Sequence, residues 1–87
     1  MKCPVCNNDT FDEKDYEWSI CAECNWEYDS LQVEKPDYDG GANVHCLNDY
    51  RKIYKKLKKE NPKFSCKNKD DRDLIIEIDH NEKNFDY

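Results

Sequence analysis

Residues 20–26 of the chain read ICAECNW, in which Cys21 and Cys24 stand two residues apart, and KCPVCN at residues 2–7 repeats this spacing. A Cys-x-x-Cys turn points two thiolates at one centre while its backbone amides donate to the sulfurs. Two such turns supply the four ligands of the tetrahedron that zinc prefers. The spacing therefore predicts a structural Zn²⁺ site whose ligands are Cys3, Cys6, Cys21 and Cys24.

The length and composition favour a fold that is stabilised by more than an apolar core. Of the 87 residues, 37% are apolar and 39% are charged. A chain of this length buries only a little over ~60% of its unfolded surface, so its apolar core is marginal. The 13% aromatic content still indicates real packing. A bound metal ion would reconcile the two observations, because metals stabilise many small domains.

The six cysteines could form disulfides or bind metal, and the redox compartment decides between these alternatives. Residues 1–20 contain no apolar run between a basic start and a small-residue cleavage site, so no secretory signal is visible. No stretch approaches the ~18 apolar residues of a membrane span. We therefore expect a cytoplasmic location, no membrane association and reduced thiols, and these conditions favour metal binding.

Hydrophobic periodicity predicts the other elements. YEWSI at residues 16–20 alternates large and polar residues, which predicts a strand paired with Thr10-Phe11. From residue 47 onward the apolar residues follow the period of an amphipathic helix, and Asn61-Pro62 ends it. DLIIEID is an apolar run short enough for one strand, and the final residues, 80–87, are expected to fray or to bind a partner. The apolar face of the helix consists of Leu47, Tyr50, Ile53, Tyr54 and Leu57.

Together these patterns predict a small α+β fold in a single zinc-ribbon-like domain over 1–87. A β-hairpin carries the two Cys-x-x-Cys knuckles, one amphipathic helix packs on it, and a C-terminal strand joins the small sheet. The predicted parts are the zinc ribbon at 3–28, a loop at 29–45, the helix at 46–61, and a C-terminal extension at 62–87 with a strand at about 73–79.

Several alternatives for the cysteines and histidines stay open. The Cys-x-x-Cys pairs could form a redox-active dithiol or bind a catalytic metal, although neither pair precedes a helix in a βαβ pattern. Cys46, just before the predicted helix, is expected to be either a buried small side chain or a reactive thiol. It can pair with Cys66 only if their Cα atoms lie within ~7 Å. His45 and His80 are expected to be exposed to solvent.

Charge is distributed unevenly along the chain. Residues 1–45 contain three lysines and eleven acidic residues, a net charge of −8, whereas residues 46–61 carry a net charge of +4. An acidic surface with aromatic anchors suits a basic protein partner, and no spacing of the acids matches a general acid–base pair. These features predict a non-enzymatic binding protein. The expected partner surface is Trp18, Trp26, Glu27, Tyr28, Asp29, Asp37, Tyr38 and Asp39.

The alternative function is a nucleic-acid-binding zinc ribbon. In that case the lysine-rich helix would lie along phosphates. The formal net charge of −6 for the whole chain disfavours this alternative, because an acidic protein repels the phosphate backbone.

Four motifs resemble those of a known family. They are CPVC near the N-terminus, EWSICAECNWEYDS at 17–30, KPDYDGGAN at 35–43 and CLNDYR at 46–51. They are similar to the bacterial cysteine-rich CPCC family, whose motifs read Cys-Pro-Cys-Cys, Ile-Cys-Pro-x-Cys-x-Trp-Glu, Pro-Asp-x-x-Gly-Gly-x-Asn and Ser-Leu-x-Glu-Ala-Arg. The resemblance covers roughly residues 3–54. It implies metal binding by Cys3, Cys6, Cys21 and Cys24, with Trp26, Gly40, Gly41 and Asn43 as framework residues.

The chain departs from the family pattern at three positions. Val5 stands where the family has an extra cysteine, and Cys46 replaces the serine that would cap the helix. Asp49 replaces the glutamate that would complete the capping box. Some small bacterial proteins of this kind look like toxin-neutralising partners, so the resemblance also suggests an immunity protein.

Overall fold

Each Cys-x-x-Cys pair lies in a tight turn, and the two turns share one backbone geometry. The computed structural model of the protein describes residues 1–81. In the first turn the amide of Cys3 donates to the carbonyl of Asn8 at 2.8 Å. In the second turn the amide of Cys21 donates to the carbonyl of Trp26, also at 2.8 Å. The turns therefore repeat in structure as well as in sequence spacing.

An asparagine in the left-handed region completes each turn. Asn7 has a φ of 63° and Asn25 a φ of 66°. Their amides donate back to the carbonyls of Cys3 and Cys21 at 2.9 Å and 2.8 Å, respectively. Asparagine adopts this region more readily than most non-glycine residues, because its short polar side chain bonds locally. The structural repeat is therefore Cys-x-x-Cys-Asn, in which the asparagine reverses the chain directly after the second thiol.

The zinc-ribbon-like β-hairpin predicted from residues 16–20 and Thr10-Phe11 is not confirmed. In the described part of the chain, β-structure is limited to two isolated antiparallel bridges, and each bridge closes one cysteine turn. The bridges pair Lys2 with Asp9 and Ile20 with Glu27. The sequence predicted one long hairpin. The structure instead has two short turns, each with its own pair of bridged residues.

A turn at Trp18 interrupts the predicted strand. The amide of Ser19 donates to the carbonyl of Tyr16 at 3.0 Å, as in a β-turn, and Trp18 has a φ of 66°. The amide of Trp18 then donates to the carbonyl of Tyr28 at 2.9 Å. Because one residue in the left-handed region turns the chain, the alternation of YEWSI does not produce two flat faces.

The predicted loop at 29–45 contains a short helix, α1 (Ser30–Glu34). The carboxylate of Asp29 caps this helix and accepts a hydrogen bond from the amide of Leu31 at 2.9 Å. Such a cap satisfies an amide that has no partner within the helix.

Helix α2 (Leu47–Glu60) confirms the predicted amphipathic helix within one residue at each end. All five residues of the predicted apolar face are buried. Tyr50 connects this face to the second cysteine turn: its ring packs edge-on against Trp26 with centroids 5.1 Å apart, and its hydroxyl donates to the carbonyl of Cys24 at 2.8 Å. The helix therefore positions the cysteines through both apolar and polar contacts.

The strand predicted at about 73–79 is wrong, because this segment belongs to a third helix, α3 (Lys69–Asn81). The side chain of Asn68 accepts hydrogen bonds from the amides of Asp70 and Asp71 at 2.9 Å and 3.4 Å and so caps the helix. The two aspartates in the first turn stabilise the helix, because their negative charges lie near the positive end of its dipole. Ile75 is buried in the core. Of the tail predicted to fray, residues 82–87 lie outside the described residues.

A buried network of polar side chains organises residues 29–45. The side-chain amide of Gln32 donates to the carbonyl of Tyr38 at 3.0 Å, and its oxygen accepts from the side chain of Asn43 at 3.0 Å. Asn43 also pairs with both backbone groups of Glu27, at 3.0 Å and 2.8 Å. Buried polar groups need such partners, because an unpaired group loses its hydration without compensation. The network joins α1 to the chain just after the second cysteine turn.

Gly41 is required by this network, and Gly40 provides a matched control. A Cβ atom at Gly41 would collide with the side chains of Asp29 and Gln32, whereas one at Gly40 would meet the end of the exposed Tyr38 side chain. We expect Gly41→Ala to lower the free energy of unfolding by about 1–3 kcal/mol, because both neighbours are buried and hydrogen-bonded. Gly40→Ala should have a smaller effect, because Tyr38 can rotate away. Urea denaturation of both variants measures the difference, and equal losses would contradict this account.

Candidate metal centre

The two turns bring four thiols together. The sulfurs of Cys3, Cys6, Cys21 and Cys24 all lie within 4.8 Å of one another. Two separations between the turns are 3.5 Å, from Cys3 to Cys24, and 3.6 Å, from Cys6 to Cys21. A tetrahedron with zinc–sulfur bonds of ~2.3 Å has sulfur–sulfur edges of about 3.8 Å. The arrangement of the thiols therefore fits a tetrahedral metal ion.

The site is closed by protein on most sides. Cys3, Cys21 and Cys24 are buried, and Cys6 is half-buried. Among the side chains that the structure describes, no histidine or carboxylate joins this group of four ligands. A complete set of four thiolates leaves no position for a substrate, and this is the character of a structural centre.

Hydrogen bonds from outside the four ligands reach two of the sulfurs. The amide of Val5 donates to the sulfur of Cys3 at 3.4 Å, as expected inside a Cys-x-x-Cys turn. The hydroxyl of Thr10 lies 3.0 Å from the sulfur of Cys21. Donors of this kind stabilise the charge of a metal-bound thiolate and fix its direction. Thr10 was not recognised in the sequence, because its distance along the chain from Cys21 conceals the contact.

Without a cation, the crowded thiols shift one another's pKa values in opposite directions. Hydrogen bonding from Cys24 lowers the pKa of Cys21, and the same interaction raises the pKa of Cys24 well above its usual range. One thiolate therefore forms readily while its neighbour keeps a proton. A divalent cation changes this balance, because its charge stabilises all the thiolates at once.

The rest of the fold attaches to the backbone of both turns. Nε of Arg51 in α2 donates to the carbonyl of Pro4 in the first turn at 2.7 Å. The amide of Cys66 donates to the carbonyl of Glu23 in the second turn at 2.9 Å. These bonds and the contacts of Tyr50 fix the two turns relative to α2 and to the segment that follows it.

Cys46 and Cys66 are buried free thiols and do not form a disulfide with each other. Burial raises the pKa of Cys46, and it raises the pKa of Cys66 to about 12. The structure therefore favours the prediction of a buried small side chain at Cys46 over that of a reactive thiol, since the thiolate is the reactive form. Cys46 also lies near Asp39 and Asp49, whose oxygen atoms lie within 4.8 Å of its sulfur.

Cys46 occupies the N-cap position of α2, but its side chain makes no capping hydrogen bond. Its own amide donates to the carboxylate of Asp39 at 3.0 Å. In a capping box this amide would bond to the third residue of the helix. Here an aspartate from the preceding loop supplies that bond.

The predicted exposure of His45 is wrong, because only 1% of the residue is accessible to solvent. Its backbone carbonyl accepts a hydrogen bond from the side chain of Gln32 at 3.3 Å, so this position belongs to the buried network. His45 is not among the ligands of the four-thiol group. The side chain of His80 lies outside the described part of the structure.

Two residues of the predicted partner surface are buried. Trp26 is 0% exposed and packs in the core, and Asp29 is buried as the cap of α1. The large apolar ring of Trp26 fills the space between the second cysteine turn and α2, which removes it from the surface. The predicted surface position is therefore wrong for Trp26, whereas Asp29 is buried but lines a depression of the surface.

The other predicted surface residues have varied environments. Trp18 and Tyr38 are exposed, and Tyr28 is half-buried against the rings of Phe11 and Tyr16. Glu27 is half-buried. Asp37 and Asp39 are exposed, and each bonds to the start of α2: Asp37 accepts from the side chain of Asn48 at 2.9 Å, and Asp39 accepts from Cys46.

The fold and the site define a small protein in which two cysteine turns, fixed by helices, form a candidate four-thiol metal centre. The profile of the Cysteine-rich CPCC family matches residues 1–72, and the chain therefore belongs to that family. No curated protein sequence matches the chain significantly. Within the described residues, no helix is both long enough and apolar enough to cross a membrane.

Thr10 provides a test of the environment of the centre. We expect Thr10→Val to lower the affinity for Zn²⁺ by about tenfold, because the sulfur of Cys21 loses its hydroxyl donor. Thr10→Ser retains the hydroxyl and should bind Zn²⁺ nearly as tightly as the wild-type protein. Competition with a chromogenic zinc chelator measures all three affinities, and an equal loss in both variants would show that the hydroxyl has no role.

Proposed function

We propose that this is a non-enzymatic protein in which a structural Zn²⁺ supports an acidic, aromatic surface that binds a basic protein partner. The observation that carries the proposal is the closed four-thiol group beside a surface with exposed aromatic residues. A toxin-neutralising or immunity protein is the specific form of this function that we favour. Occlusion of a basic active site would suffice for such a role, and the protein itself need not perform chemistry.

Zinc is supported by the chemistry of the ligands. Four sulfurs with edges near those of a tetrahedron suit Zn²⁺, which has no redox chemistry and readily accepts thiolate ligands. The redox alternative has less support, because neither Cys-x-x-Cys pair lies at the start of a helix. A reducing cytoplasm suits such a centre, because thiols remain free there.

Mass spectrometry of the native protein tests the metal. We expect one Zn²⁺ per chain, and Cys21→Ser should lose the ion because serine replaces a thiolate ligand. Cys46→Ser and Cys66→Ser are matched controls that should retain it, since neither thiol belongs to the group of four. Chelation of the ion should also remove cooperative unfolding, which circular dichroism can follow. Loss of zinc from Cys66→Ser to the same extent as from Cys21→Ser would contradict the assigned ligands.

The charge distribution supports a basic partner. Residues 1–45 carry a net charge of −8, and Glu13, Asp15, Asp37 and Asp39 are exposed in the structure. Opposite charges on two partners steer their encounter and raise the association rate, while aromatic side chains at the interface supply much of the binding energy. Exposed Trp18 and Tyr38 are the aromatic side chains that we assign to this role.

Purification of the tagged, zinc-loaded protein from its native cells tests the partner. We expect a protein complex that weakens as salt is added and that Glu13→Lys weakens further, because the substitution reverses one exposed negative charge of the acidic N-terminal half. Glu77→Lys makes the same change of charge at an exposed position on α3 and should have little effect. If the wild-type protein forms no salt-sensitive protein complex, the proposed function fails.

The alternative of nucleic-acid binding rests on α2, where Lys52, Lys55 and Lys59 are exposed. The same purification distinguishes this alternative, because the complex would then contain nucleic acid. Lys52→Glu would weaken such a complex, and Glu13→Lys would not.

A further inference from the structure

Two of the exposed large apolar side chains line the same depression of the surface. Trp18 is 59% exposed and Leu31 is 42% exposed, and both line an open depression of about 520 Å³. Ala42 and the two glycines before it complete the apolar lining, and the polar lining consists of Glu17, Asp29 and Ser30. A depression with apolar walls and an acidic group has the features of a site for an anchoring side chain.

The backbone of Trp18, in the wall of this depression, is strained. A φ of 66° is unusual for a bulky aromatic residue and raises the free energy of the folded chain. The conformation is fixed from both sides, because the amide of Trp18 donates to Tyr28 at 2.9 Å and the amide of Tyr28 donates to Ser19 at 2.8 Å. Strain of this kind is concentrated at ligand sites in proteins. Neither the strained backbone nor the exposed indole of Trp18 stabilises the fold. This combination favours a role for Trp18 in recognising a ligand.

Hydrogen bonds fix the polar part of the lining. The carboxylate of Asp29 accepts hydrogen bonds from the amides of Leu31 and Ala42, both at 2.9 Å. The carboxylate of Glu17 accepts hydrogen bonds from both the amide and the hydroxyl of Ser30. Because these groups are fixed before any ligand binds, little conformational entropy would be lost on binding.

We propose that this depression binds one apolar side chain of a partner segment whose neighbouring residues are lysine or arginine. The inference rests on the proposed protein-binding function and assigns its anchoring site. The apolar side chain contacts Trp18 and Leu31, while the flanking cations face Glu17 and the acidic residues of the N-terminal half. Charge complementarity selects a basic segment, because residues 1–45 contain eleven acids against three lysines.

The test uses the zinc-loaded full chain labelled with ¹⁵N and two synthetic peptides. In one peptide a central phenylalanine is flanked by lysines, and in the other glycine replaces the phenylalanine. We expect the phenylalanine peptide to bind at least about tenfold more tightly, with chemical-shift changes centred on Trp18, Leu31 and Ala42. Binding of the two peptides with equal affinity, changes centred elsewhere, or no change at millimolar peptide would each overturn the proposal.

Two variants make the test specific. Trp18→Asn should weaken binding of the phenylalanine peptide at least about tenfold without lowering the melting temperature, because asparagine tolerates the left-handed region. Leu74→Gln removes another exposed apolar side chain, outside the depression, and should bind as the wild-type protein does. If Trp18→Asn still forms the salt-sensitive complex in native cells at full strength, the anchoring site is wrong and the proposed function stands. If the wild-type protein forms no such complex, the proposed function itself fails.

Discussion

The convergence of four sulfur atoms is the constraint on which the N-terminal half of this protein depends. Segments separated in sequence meet there, and each approaches through a turn that is closed by its own backbone hydrogen bonds and a left-handed asparagine. A short chain with a small apolar core has few other ways to fix such turns relative to each other. The remaining contacts of the turns, from Tyr50, Arg51 and the amide of Cys66, connect this centre to α2 and to the segment that follows it.

A second organising element is polar. The side chains of Gln32 and Asn43 exchange hydrogen bonds with backbone groups from three parts of the chain, and Asp29 joins α1 to Ala42. The second glycine of the pair at 40–41 therefore has a structural explanation, since a side chain at Gly41 would displace this network. Asp29 also lines the depression beside Trp18, so the framework and the proposed binding surface share this residue.

Two features with a clear local pattern in the sequence were predicted correctly. The four cysteines and the apolar face of α2 followed directly from spacing and period, and the structure agrees with both. The segment DLIIEID was ambiguous, because a short apolar run fits a strand or a helix. The cap at Asn68 and the pairing of Lys69 with Asp73 at 2.8 Å indicate a helix, and both signals precede or overlap the run. The contact of Thr10 with Cys21 and the burial of His45, Trp26 and Asp29 depend on tertiary structure, which spacing alone does not encode.

The unequal burial of the four thiols has a consequence for the exchange of a bound metal ion. Cys6 is half-buried, whereas the other three cysteines are enclosed. If the centre contains zinc as proposed, Cys6 is the ligand that a competing chelator reaches most readily, because it is the most exposed of the four. Exchange of the ion would then proceed by stepwise substitution beginning at that sulfur, and the packing around one half-covered side chain would set the lifetime of the loaded protein.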